Sequence, residues 1–104
     1  MIDHILRVVA EQFGVSVADI KSMRRSRQVL PARHIAAYLA HATLGMTPHE
    51  IGRQLGGRDH TNIEMYCRAV TRRIEEDDDY SRLVDELAAR IQTTPNCHNS
   101  SVIR

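Results

Sequence analysis

Arg58, Asp59, His60, Thr61 and Asn62 form an unbroken run of hydrogen-bonding side chains directly after Gly56-Gly57. The run offers a cation, a carboxylate, an imidazole, a hydroxyl with its methyl, and a carboxamide. Such a set serves either a reaction centre or a surface that reads hydrogen-bond patterns. The reaction centre is the poorer fit. Asp59 and His60 are chain neighbours, which makes it hard for one to orient the other as a catalytic triad requires. "GRQLGGRD" lacks the Gly-Lys-Ser/Thr ending of a phosphate-cradling loop, and no strand precedes it. "HEIGR" opens as a zinc-protease helix does, but Arg53 stands where the second histidine is required. His34, His41 and His49 are spaced by seven and eight rather than four, which is poor metal-ligand spacing on a helix. The expectation is therefore a protein that is not an enzyme and takes neither metal nor cofactor.

A reading surface fits better. Ile63, Tyr66, Cys67, Val70 and Ile74 follow at helical spacing, so the polar run opens a helix whose apolar stripe begins only at Ile63. On that helix His60, Thr61, Asn62, Met65 and Arg68 fall toward the outer side. Asn62 matches the donor–acceptor pair of adenine, and the Thr61 methyl matches that of thymine. Asp59 can accept from cytosine N4, and Arg58 can bond guanine or a phosphate. Asp59 is equally suited to capping the helix, and the two roles are compatible. Thr61 and Asn62 also read simply as tolerated first-turn residues.

The elements that must position this run are legible on either side. "TPHE" is a start signal: Thr47 caps, Pro48 fits the first helical position, and Glu50 completes a capping box. The resulting helix is brief, with Ile51 and Leu55 inward, and Gly56-Gly57 breaks it. A short helix, a glycine turn and a longer helix make a helix-turn-helix, in which the first turn of the second helix reaches base edges in the major groove. Upstream, Ile2, Ile5, Leu6, Val9 and Phe13 form one helical face that Gly14 ends, and Ser16 can cap a short helix. "SMRRSRQVLP" has no apolar period and reads as a loop. Pro31 suits the first turn of a helix with Ile35, Leu39 and Ala42 inward, ending near Gly45. Downstream, Leu83, Val84, Leu87, Ala88 and Ile91 mark a last helix, and "TTPNCHNSSVIR" reads as a disordered tail.

Charge divides the 104 residues. Residues 1–74 hold 11 Lys+Arg against 6 Asp+Glu, a net +5, while residues 75–104 hold 3 against 7, a net −4. Between Ile20 and Glu50 lie Lys21, Arg24, Arg25, Arg27 and Arg33 and no acid. The "RRSR" run is either a solvated charged face or, beside a helix-turn-helix, an arginine loop for phosphates and a narrow minor groove. The "EEDDD" run at 75–79 is either a solvated helix end that caps the next helix or an acidic patch competing with nucleic acid for that loop. No apolar stretch is long enough to span a membrane, no secretory leader is evident, and Cys67 and Cys97 have no framework spacing. Cys67 reads as a small core residue. The expected compartment is the cytoplasm, in contact with the nucleoid, and no membrane partner is expected.

"VADIKSMRRSR", "IAAYLA" and "HEIGRQLGGRDHTNI" together resemble the C-terminal DNA-binding domain of the bacterial replication initiators of the DnaA type. The likeness covers roughly residues 1–92, and "GGRDHT" with "RRSR" upstream is its most specific part. It implies an all-α fold of about six helices, with a helix-turn-helix and a basic loop, that binds double-stranded DNA at a short asymmetric sequence, the DnaA box. It also implies Arg58, Asp59, His60 and Thr61 in the major groove and Arg25 in the minor groove, with Arg24 and Arg27 at the backbone. Arg33 would contact phosphate or base, and Thr47 with its neighbours would offer backbone N–H groups to phosphate. Three positions depart from the family pattern. Asn62 stands where a second threonine is usual, Glu64 where a hydrophobic residue is frequent, and "LPARH" where "ARPRQ" is found. Asn62 can change the preferred base; Glu64 adds negative charge near DNA if it faces outward, or lies along the helix flank.

Family initiators carry an ATPase domain upstream. The start at Met1 and the irregular tail favour a complete small protein over an excised piece of an initiator. Such a protein would act in replication-initiation control or transcription regulation without its own ATPase. The competing expectation is a protein-interaction module, docking a replication or transcription partner through the acidic 75–79 run and the last helix.

Overall fold

The structure, a computed structural model, describes residues 2–22 and 27–92, with the side chain of Gln92 excepted. The described residues form six helices: α1 (Ile2–Phe13), α2 (Val17–Lys21), α3 (Val29–Leu44), α4 (Pro48–Gln54), α5 (His60–Glu76) and α6 (Asp78–Gln92). The fold is all-α, as expected. The tail from residue 93 lies outside the described residues, as do Arg24 and Arg25.

Local signals set most boundaries. Ser16 Oγ accepts from Asp19 N at 3.0 Å, and the Asp19 carboxylate accepts from Ser16 N at 3.4 Å, so a capping box opens α2. Thr47 and Glu50 repeat the device at α4, with Pro48 first in the helix. Asp77 ends α5, and its Oδ1 accepts from Asp79 N (3.0 Å) and Tyr80 N (3.2 Å) to open α6. The helix cap expected within the acidic run is thus present, formed by Asp77.

α3 is the central element. It packs against α1, α2, α4, α5 and α6. Ala32, Ile35, Ala36, Leu39 and Ala40 are buried, and the small alanines let neighbouring helices approach closely. The expectation for Ala42 is corrected: it is exposed. The buried stripe ends at Leu39 and Ala40, and beyond it Thr43 is half-buried, its hydroxyl donating to Leu39 O at 2.6 Å. α3 also begins earlier than the charge pattern suggests. Val29 is buried and opens the helix, so Pro31 sits third in its first turn, where a missing N–H costs nothing.

α1 contributes Ile2, Ile5, Leu6, Val8, Val9 and Ala10 to the core, and α6 contributes Val84, Leu87 and Ile91. From α5 only Ile63 and Val70 are buried; Tyr66, Cys67 and Ile74 pack half-buried at its margin. Burial raises the Cys67 thiol above its ordinary range, and Glu64 adds to the effect. A long helix with two buried anchors leaves one side to solvent, and that asymmetry gives Thr61 and Asn62 their exposure. Among the described residues no helix is long and apolar enough to cross a membrane.

Candidate nucleic-acid interface

α4, the turn 55–59 and α5 make the helix-turn-helix, closed by contacts that admit no side chain. Arg58 N donates to Gly52 O at 2.8 Å, and a Cβ on Gly52 would lie 2.2 Å from Arg58 O. Gly56 (φ +90°) brings the turn against the end of α2, where a Cβ would lie 2.2 Å from Lys21 O. Ile51, Leu55 and Ile63 anchor the motif beneath.

Above these anchors, Thr61 and Asn62 are exposed at the first turn of α5, and His60 is half-buried. Met65 and Arg68 continue the exposed side. Asp59 holds the N-cap position with extended backbone, and its carbonyl accepts from Asn62 N and Ile63 N. Its carboxylate does not cap. Oδ1 instead lies 3.2 Å from His60 Nδ1, so the side-chain cap expected of Asp59 is corrected. Adjacency on the chain also proves no barrier to Asp59 orienting His60. A face of the His60 ring stacks on His49 of α4, with centroids 4.1 Å apart and planes inclined by 27°. His60 is therefore held by two side chains while part of it stays open to solvent.

His49 is a neighbour of His60 that the sequence pattern does not announce. The usable signal was its place in the first turn of α4, because a helix-turn-helix brings that turn beside the start of the second helix. Among the described residues no group of three His, Cys, Asp or Glu side chains is placed to hold a metal ion.

The arginines divide. Arg27 is exposed just before α3. Arg33 is buried, 1% exposed, and the phosphate or base contact expected of it is corrected. Its Nε donates to Ile20 O at 2.9 Å, and its Nη2 to Ser22 O at 2.7 Å and Asp19 O at 3.3 Å. Those carbonyls end α2, where a cation also favours the helix dipole. Arg58 is half-buried, and its Nη2 also donates to Ser22 O. Of the N–H groups that Thr47 and its neighbours would offer to phosphate, that of Thr47 already has a partner in the protein. That N–H donates to Glu50 Oε1 at 3.0 Å, and the Thr47 hydroxyl accepts from Glu50 N. Glu64 is exposed on α5, along a groove shared with Tyr38, His41 and Pro48 and one turn on from His60 and Thr61.

His34, on α3, stacks on Tyr66 of α5 with centroids 4.4 Å apart. Burial lowers its pKa below the ordinary histidine value, and the adjacent Arg33 charge adds to the effect.

A profile described as the bacterial DnaA protein helix-turn-helix matches residues 2–70. The chain is 38% identical over 89 residues to the chromosomal replication initiator protein DnaA of Mycoplasma capricolum, covering 86% of this chain and 20% of that protein. It is 35% identical over 95 residues to that of Crocosphaera subtropica, covering 91% and 21%, and 32% identical over 90 residues to that of Thermodesulfovibrio yellowstonii, covering 86% and 20%. The chain thus spans about a fifth of the length of the curated relatives it matches. With its helix-turn-helix closed over Gly52 and the "GGRDHT" run at the mouth of α5, the chain belongs to the C-terminal helix-turn-helix family of bacterial DnaA.

Proposed function

We propose that the chain is a sequence-specific reader of double-stranded DNA at DnaA-box-like sites, serving replication-initiation control or transcription regulation from the cytoplasm. The observation that carries this reading is the start of α5, where Asp59, Thr61 and Asn62 are exposed and His60 is half-buried at the mouth of the helix-turn-helix. In the major groove Asn62 pairs with adenine, Thr61 packs its methyl on thymine, and Asp59 accepts from cytosine. His60 enters pre-oriented by Asp59 and His49. Arg24, Arg25 and Arg27 supply phosphate and minor-groove charge, with Arg25 as the minor-groove residue. Phosphate contacts set register and affinity, and base contacts set the sequence. The chain's part in this activity is occupancy of sites; its relatives are named as replication initiators, and this chain matches about a fifth of their length.

Fluorescence-anisotropy titration against duplexes with and without a DnaA box, at moderate salt, tests the proposal. The box duplex binds at least a hundredfold more tightly if the reading holds. Equal affinities would remove the sequence-specific part and leave only charge-driven binding.

A further inference from the structure

The DNA that the start of α5 would meet offers mostly acceptors. Phosphate oxygens, guanine N7 and O6, adenine N7 and thymine O4 take hydrogen bonds, and in the major groove only the adenine and cytosine amino groups give them. Which of these His60 can use depends on where its ring carries protons. Asp59 Oδ1 lies 3.2 Å from His60 Nδ1. A carboxylate only accepts, and a bare nitrogen lone pair against it would be repelled, so Nδ1 carries a hydrogen. In a neutral ring Nε2 is then a bare acceptor. That atom is not buried, and it has no hydrogen-bond partner among the described residues. Set against the acceptors of DNA, a bare Nε2 repels; with a proton added, it donates.

We infer that His60 enters the groove as an imidazolium, its Nδ1 edge on Asp59 and its Nε2–H given to a base or phosphate acceptor, so that DNA binding by this chain takes up a proton and tightens as the pH falls. The inference rests on the proposed DNA-binding role and deepens it. The proton comes from solvent, and the ring passes from neutral to a charge of +1. His49 covers a face of the same ring, with centroids 4.1 Å apart. Two imidazolium rings that close repel, so the pair takes one proton rather than two, and the Asp59 carboxylate assigns it to His60. The other charged groups on the surrounding elements are mixed in sign. α4 holds Glu50, engaged with Thr47, and the exposed Arg53; the turn holds Arg58, bonded to Ser22 O. α5 holds Glu64 one turn on from His60, and α3 holds His41, whose Nδ1 meets Met46 O at 2.9 Å. Against that mixed background the phosphates are the one large change of charge on binding, and they favour the cation.

Anisotropy titrations of the 104-residue chain on box and scrambled duplexes, at fixed ionic strength between about pH 6 and 8, test the inference. The association constant should rise by up to about tenfold for each unit the pH falls, the limit for one proton taken up. His60→Gln keeps a donor but cannot take the proton, and should flatten the slope. His49→Phe keeps a stacked ring that cannot titrate, and should retain the slope whatever it does to affinity. His41→Gln should retain it too. Proton–nitrogen correlation NMR of the unaltered chain reads the ring without a variant. At a pH where the free chain shows hydrogen on Nδ1 alone, the complex should show it on both nitrogens. An affinity independent of pH, or a complex in which Nε2 stays bare, would overturn the inference and make His60 an acceptor from an adenine or cytosine amino group. A slope that survives His60→Gln, or one lost in His49→Phe, would overturn it by assigning the proton elsewhere. If box and scrambled duplexes bind equally, the sequence-specific reading fails while the slope of the common affinity still decides the proton. Absence of any DNA binding overturns both.

Discussion

At the scale of single residues, the fold restrains His60, to which the proposed function gives a recognition role. Asp59 meets its Nδ1 edge and His49 covers one ring face, so few rotamers remain to be lost on binding. Replacing His60 or Thr61 with alanine should cost about 1–3 kcal/mol of discrimination between box and scrambled duplexes. Competition binding measures that difference, and unchanged discrimination in both variants would move the reading surface elsewhere. His34 gives a prediction of another kind. Its folded pKa is lowered, so the unfolded chain takes up its proton first as the pH falls. The stability linked to His34 is fully present above the ordinary histidine pKa, about 6.5, and is lost as the pH drops through the lowered folded value. Thermal melts between neutral and mildly acidic pH should show this decline, and His34→Gln should make it shallower. An identical slope in the variant would assign the dependence to other groups.

At the scale of elements, the helix-turn-helix depends on a missing side chain. Gly52→Ala sets a Cβ against the Arg58 carbonyl, where backbone rather than a flexible side chain must yield. The expected loss is about 2–3 kcal/mol, which lowers Tm by roughly 10–20 °C for a domain of this size. Calorimetry checks it, and an unchanged Tm would mean the turn is looser than its 2.8 Å closing bond implies. What the sequence revealed at this scale was whatever acts over three or four residues. The Thr47–Glu50 box, the Ser16 cap and the apolar stripe of α5 are written in adjacent positions and appear where expected. Arg33 was not legible in the same way. Its partners lie 11 to 14 residues upstream, so its type suggested a DNA contact until the fold showed where its guanidinium goes. His49 and His60 met for the same reason, through a turn rather than a period. Asp59 misled because carboxylates commonly cap helices, and here an imidazole one residue on competes for it.

At the scale of the whole molecule, size and charge set what one copy can cover. The longest dimension is 39 Å, enough for roughly ten base pairs of duplex at 3.4 Å per step. The net +5 over residues 1–74 places the electrostatic attraction in the half that holds the basic segment and the recognition turn, with the acidic run at the α5–α6 junction. Arg25→Ala should therefore weaken binding to any duplex and reduce the slope of log K against log salt by about 1. A titration series across salt concentrations reads that slope, and an unaltered slope would remove Arg25 from the contact set. The central claim is that one face of this molecule reads base edges through the start of α5. Dimethyl sulfate footprinting tests it most directly, because the reagent attacks guanine N7 in the major groove and adenine N3 in the minor groove. The account predicts major-groove protection over a few consecutive base pairs of the box, flanked by minor-groove protection within the same helical turn, with the major-groove part lost in Thr61→Ala and the minor-groove part retained. Protection spread evenly along the duplex, or confined to the minor groove, would contradict it.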